Sequence, residues 1–147
     1  MKFKIAWIGK TKDRAIQALS AEYLKRLSAY AQVDALALPN ETALLNQVQR
    51  MSKHPGLRLV LLDSRGKEMS SEEFAKFIEE HQNRNPQPLM FAVGPADGFS
   101  ARVRHAASEL ICLSRMTLPH ELARIVLLEQ LYRAFSILKG HPYHLGH

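Results

Sequence analysis

Side chains able to do chemistry fall in three places in this sequence. The first is the tail, Gly140-His141-Pro142-Tyr143-His144-Leu145-Gly146-His147, which holds three of the seven histidines. A spacing of three would align His141, His144 and His147 as metal ligands on one face of a helix. Pro142 and Gly146 oppose a helix there, and no carboxylate accompanies the imidazoles, so no metal is expected. A proline and a tyrosine directly behind an apolar segment favour a docked tail over a frayed end. The second place is that apolar segment, where Arg124 and Arg133 stand among leucines and isoleucines. Arginines so placed are either a solvated edge or a bidentate grip for phosphate or carboxylate. The third is a pair of glycine-bearing stretches, Asp63-Ser64-Arg65-Gly66 and Gly94-Pro95-Ala96-Asp97-Gly98.

Neither stretch completes a known nucleotide motif. Ile8-Gly9-Lys10-Thr11 has the ending of a phosphate-binding P-loop, but Lys4 stands where the leading glycine is needed. Without a P-loop, the DxxG form of residues 63–66 does not make a GTPase. Gly94 and Gly98 lack the GxG start of a dinucleotide site. Cys112, between Ile111 and Leu113, reads as a buried structural thiol.

These groups need a scaffold, and the apolar pattern supplies one. Strands are expected over 2–8, 33–38, 57–62, 89–93 and 110–113. Helices are expected over 13–30, 41–53, 100–107 and 119–139, and from the capping-box pair Ser70 and Glu73 to about residue 81. His54-Pro55-Gly56 marks a turn, and 83–87 reads as a loop. Alternating strands and helices give an α/β fold with a mainly parallel sheet flanked by helices, in one domain over residues 1–147. Ligands in such sheets bind beyond the carboxyl ends of the strands, where both glycine-bearing stretches are expected as loops. The 119–139 helix opens at Pro119, stops before Gly140 and is apolar on more than one face. One side is expected on the sheet and the other on a partner subunit.

Composition narrows the function classes. The chain has 147 residues, 46% hydrophobic and 23% charged, as in an ordinary globular domain. One cysteine excludes an internal disulfide and a two-cysteine zinc site. No apolar run approaches the ~20 residues of a membrane span. The first ten residues show no leader pattern, so a reducing compartment, most simply the cytoplasm, is expected. The net charge of +6 is uneven: +4 over residues 1–50, −1 over 51–100 and +3 over 101–147. Such a surplus suits a polyanion, with nucleic acid the leading candidate.

Several short segments then fall into one pattern. They are Ala21-Glu22-Tyr23 with Arg26-Leu27, Leu61-Leu62-Asp63 with Gly66, and Gly94-Pro95 with Asp97-Gly98. Ser114, Met116-Thr117-Leu118-Pro119-His120 and Glu129-Gln130-Leu131-Tyr132-Arg133-Ala134-Phe135 follow, then Gly140 and Tyr143-His144. In order and spacing the chain resembles, almost end to end, the small bacterial ribosomal RNA methyltransferases of the SPOUT superfamily. It most resembles the family that N3-methylates a pseudouridine in the 23S RNA of the large subunit.

The resemblance implies a deep trefoil knot near the C-terminus and S-adenosyl-L-methionine as methyl donor. Carried over by position, the cofactor contacts are Leu62, Val93, Gly94, Leu113, Ser114, Arg115, Met116, Thr117 and Leu118. Where the family often has two glycines, this chain has Val93-Gly94. Main-chain contact survives there only with the valine side chain turned out of the pocket. The resemblance further implies a homodimer acting on 23S rRNA within the ribosome, with neither membrane nor metal. Pseudouridine N3 is a weakly acidic imide nitrogen, so transfer needs in-line alignment and an exit for the proton. By residue type His144 is the expected base. Tyr143 is expected to stack on or hydrogen-bond the target ring, and Arg133 to hold a phosphate or the uracil oxygens. The competing expectation is a non-catalytic, ribosome-associated RNA-binding module on the same fold, which would leave the cofactor unbound.

Overall fold

Along the first strand, β1 (Lys2–Ile8), Phe3, Ile5 and Trp7 face one side and Ala6 and Ile8 the other, all of them buried. The strand β4 (Leu89–Val93) is buried throughout and alternates in the same way. Strands buried on both faces belong inside a sheet that helices cover on both sides. That is the architecture of this computed structural model, which describes residues 1–51, 56–84 and 87–145, His144 by its backbone alone. With β2 (Gln32–Leu38), β3 (Arg58–Glu68) and β5 (Glu109–Cys112), the sheet has the order β2-β1-β4-β3-β5, every pair parallel. Helices α1 (Arg14–Leu27), α3 (Ser71–Arg84) and α5 (His120–Leu138) pack over one face. On the other lie α2 (Glu41–Met51) and α4 (Ala101–Ala106).

The expected α/β class and sheet type hold, and local chemistry sets the ends. Asp13 caps α1, its Oδ1 accepting from Ala15 N at 2.8 Å and Ile16 N at 3.2 Å. The capping box of α3 forms: Ser70 N donates to Glu73 Oε1 at 2.9 Å and Glu73 N to Ser70 Oγ at 3.0 Å. This helix outruns its expected end by three residues, so Asn83 and Arg84 are helical where a loop was expected. Residues 85 and 86 of that loop lie outside the described residues, as do Lys53, His54 and Pro55. Gly56, last of the expected turn, has a φ of 95°.

One difference matters for the site. Residues 63–66 are not a free loop after β3 but a bulge inside it. Leu62 pairs with Ile111 of β5, and Lys67 pairs with the same Ile111 after four looped-out residues. At Gly66 the two backbones cross closely. A Cβ there would lie 2.5 Å from Leu110 C and Ile111 N, so only glycine fits.

In α5, Ile125, Leu127, Leu128, Leu131, Ala134 and Phe135 are buried against the sheet, α1 and α3. Much of the helix's apolar surface is thus covered within the chain. An outward stripe of Leu122, Val126, Gln130 and Arg133 stays partly open, and Leu122 is 40% exposed.

Candidate active site

Three segments meet beyond the carboxyl edge of the sheet: the β3 bulge, the turn 93–98 after β4 and the turn 113–118 after β5. With His120 and Ala123 of α5 they enclose a cavity of about 290 Å³. All nine positions expected to hold the cofactor line it: Leu62, Val93, Gly94, Leu113, Ser114, Arg115, Met116, Thr117 and Leu118. Val93 is 3% exposed and belongs to the core on the α1, α3 and α5 face. Gly94 is tighter than its sequence suggests. A Cβ there would meet the Phe99 ring at 3.1 Å, so a bulky replacement disturbs the core as well as the cavity.

The 113–118 turn is braced internally. Cys112 Sγ donates to Ser114 O at 3.0 Å, and Met116 N donates to Ser114 Oγ at 3.0 Å. Cys112 is therefore structural, as expected. The lining also carries the carboxylates of Asp63 and Asp97. A second cavity of about 270 Å³ shares Cys112 and Leu113 with the first and reaches Ser71 and Gln130.

The expected catalytic residues gather elsewhere. The tail folds into a 3₁₀ turn over Pro142–Leu145 and docks on α1 and α5. The Tyr143 hydroxyl donates to Glu129 Oε1 at 3.0 Å and lies 3.3 Å from the Tyr23 hydroxyl. Its ring stands edge-on to Tyr132, centroids 4.6 Å apart, and the Arg133 guanidinium lies 5.1 Å from its centre. Arg133 donates through Nε and Nη2 to the same Glu129 oxygen, at 3.0 and 2.7 Å. Burial, the Tyr23 hydroxyl and the Glu129 charge all push the Tyr143 pKa up, so this phenol stays protonated and serves as a donor. Glu129 is thus the hub of the cluster. The Glu129-x-x-x-Arg133 spacing, one turn of helix, was its signal in the sequence. The side chain of His144 lies outside the described residues, as does His147. His141 Nδ1 accepts from Tyr143 N at 3.2 Å.

This cluster does not line the cofactor-type cavity of its own chain. Glu129 is nine residues beyond His120 on α5, about 13 Å along the helix at 1.5 Å per residue. A chain of bonds runs toward the second cavity: Gln130 Nε2 donates to Glu129 Oε2 at 2.8 Å, and Ser71 Oγ donates to Gln130 Oε1 at 2.7 Å.

Arg124 corrects both expectations held for it, since it is neither a solvated edge nor an exposed grip. It is fully buried. Its Nη2 donates to Ile8 O at 2.8 Å and Gly9 O at 3.3 Å, and its Nη1 donates to Thr11 Oγ1 at 2.8 Å. The guanidinium lies 5.5 Å from the centre of the Trp7 ring.

With this geometry in place, comparison with known proteins decides the family. The model described as "Predicted SPOUT methyltransferase" matches residues 1–144. The chain belongs to the SPOUT methyltransferase family. A protein named ribosomal RNA large subunit methyltransferase H, from Koribacter versatilis, is 50% identical over 147 residues, covering all of both chains. The protein of the same name from Gloeobacter violaceus is 42% identical over 154 residues, covering 99% of this chain and all of that one. Among solved structures, the SpoU methyltransferase AviRb from Streptomyces viridochromogenes, in complex with the cofactor AdoMet, has a TM-score of 0.52. It is 15% identical, and the match covers 89% of this SPOUT chain and 57% of that chain, a likeness of fold.

Proposed function

We propose that this chain is an S-adenosyl-L-methionine-dependent methyltransferase that methylates N3 of a pseudouridine in the 23S RNA of the large ribosomal subunit. The observation that carries the reading is the convergence of the nine expected cofactor positions, from three separated segments, on one cavity. The end-to-end likeness to proteins named ribosomal RNA large subunit methyltransferase H sets the substrate class. The close crossing of the β3 bulge and β5 at Gly66 supports a knotted chain path.

The cavity suits the cofactor chemically. Leu62, Leu113 and Leu118 offer apolar walls to an adenine ring, Ser114 and Thr117 add hydroxyls, and main chain lines the rest. Asp63 and Asp97 put carboxylates in the lining, which suits a ligand that carries a sulfonium and an ammonium. When bound, the cofactor supplies an electrophilic methyl group. The chain's own part would be to align pseudouridine N3 with that methyl, whose departure leaves a neutral thioether, and to accept the N3 proton, the role given to His144. Tyr143, whose single hydroxyl proton is given to Glu129, is assigned to orient the target ring. Arg133, anchored by Glu129, keeps Nη1 for a uracil oxygen or a phosphate.

The protein acts as a homodimer in the cytoplasm, on assembled ribosomal RNA. Two observations support the dimer: the partly open α5 stripe around Leu122, with Leu19 of α1 also exposed, and the distance between the tail cluster and the cavity of the same chain. The deciding experiment is methyl transfer from labelled S-adenosylmethionine to ribosomes with and without the pseudouridine. Label is expected only where pseudouridine is present. Calorimetry separates the competing RNA-binding module, which would bind ribosomes and leave the cofactor unbound.

A further inference from the structure

The β1–α1 loop, residues 9–13, and the start of α1 carry three cations on alternate positions, Lys10, Lys12 and Arg14. All three are exposed, and none has a carboxylate partner among the described residues. A solvated charge run needs no fixed backbone, yet this one is clamped from below. The fully buried Arg124 bonds Ile8 O, Gly9 O and Thr11 Oγ1. Among the described residues its buried Nε has no partner, so the fork is held on the loop at a cost in desolvation. Glu121 Oε1 accepts from Lys12 N at 2.8 Å and Asp13 N at 3.1 Å. Gln17 Nε2 donates to Thr11 O at 2.7 Å. The two acidic groups beside the cations are turned onto backbone N–H groups: Glu121 onto the loop and Asp13 onto the first turn of α1. The clamp sits on the first turn of α5, whose His120 and Ala123 line the cavity.

Resting on the methyltransferase reading above, we infer that Lys10, Lys12 and Arg14 form a pre-shaped rail for the phosphates of the RNA strand that carries the target base. Glu121 and Arg124 are its positioning residues. The three cations are exposed while Thr11 is tied to Arg124 and the Asp13 carboxylate is held by the first turn of α1, and a fixed loop loses little freedom when phosphates bind. The rail carries no base-reading group. It supplies affinity and register beside the cavity, and the cavity supplies the chemistry.

The test uses the full-length protein with Lys10, Lys12 and Arg14 replaced by alanine together. Cofactor affinity is expected to stay within twofold by calorimetry. The KM for ribosomes is expected to rise at least tenfold with kcat nearly unchanged. The dependence of log KM on log salt is expected to lose about two to three units of slope, one set of three phosphate contacts. A control replaces Lys2, Arg50 and Arg84, exposed cations at the opposite edge of the sheet, where β1 begins and α2 and α3 end. An equal loss in that control, or an unchanged KM and slope in the rail variant, overturns the proposal. Glu121→Ala gives a test of sign. Removing a negative charge alone would tighten RNA binding, whereas a loosened rail weakens it and speeds amide exchange at Lys12 and Asp13. Tighter binding sinks the positioning role. Equilibrium binding of the same variants to ribosomes is measured alongside. If wild type transfers no methyl group, the methyltransferase reading fails, and these affinities still decide the rail.

Discussion

Tyr143 shows what a single side chain contributes here. Its hydroxyl ties the tail to Glu129 and faces Tyr23, and its ring packs on Tyr132 beneath Arg133. Tyr143→Phe keeps the ring and removes the bonds, so it is expected to cost about 1 kcal/mol of stability by chemical denaturation. Cofactor affinity should hold while turnover falls about tenfold, the effect of about 1.4 kcal/mol in the transition state. Because the phenol is held protonated, no ionisation of Tyr143 should appear in the rate profile below pH 9. His81 is the residue whose titration bears on the fold. Buried in α3, it has Arg58 Nη1 at 3.1 Å from Nδ1, and its Nε2 donates to Gln87 O at 3.0 Å. Those partners require the neutral ring, and burial followed by the Arg58 charge lowers its pKa. The unfolded chain therefore binds the proton more readily than the fold does. This contribution to stability is complete above the unfolded value of about 6.5 and is lost as pH falls below it. The melting temperature should drop between pH 7.5 and pH 5.5, and His81→Gln should flatten that part of the profile.

At the scale of elements, periodicity made most of the fold legible, and close approaches made the rest illegible. The bounds of β4 could be read because it is an apolar run between Pro88 and Gly94, and those of β1 because it lacks turn formers and Gly9 closes it. The capping box of α3 could be read because its hydrogen bonds are local in sequence, whereas Asp13, read as the first residue of α1, is its cap. The β3 bulge could not, because it depends on β5, more than forty residues away. In the site, the cavity-lining positions were legible through a pattern spread over the whole chain. The buried Arg124 clamp and the Glu129 hub join segments that no local rule connects. Gly66 tests the crossing directly. Gly66→Ala places a Cβ 2.5 Å from the Leu110 and Ile111 backbone and is expected to cost about 3 kcal/mol or more, or to prevent folding. Gly98→Ala is the comparison. Its Cβ meets open space, so only the φ of 83° opposes it, at about 1 kcal/mol. Equal melting temperatures for the two variants would remove the crossing as a structural constraint.

At the scale of the whole molecule, the candidate site comes in two halves that one chain keeps apart. The cavity lies at the start of α5, and the Tyr143 cluster lies about 13 Å along it. A two-fold pair resolves the separation if each tail serves the partner's cavity, as an isologous interface permits. Two defective variants test this. A chain ending at Gly140 keeps α5 and every cavity residue, so it should fold and bind cofactor but transfer nothing. Thr117→Trp sets a large ring into the cavity from an exposed position, so it should fold and keep its tail but bind no cofactor. Mixed after subunit exchange, half of the dimers should hold one chain of each kind. In each such dimer one of two composite sites is intact, so about a quarter of wild-type activity should return. Sedimentation at micromolar concentration should show dimers for both variants and for the mixture. If the mixture stays inactive although exchange has occurred, each cavity is served by its own tail. The tail would then have to leave Glu129 to reach it, and Glu129→Gln, which weakens that anchor, should raise turnover.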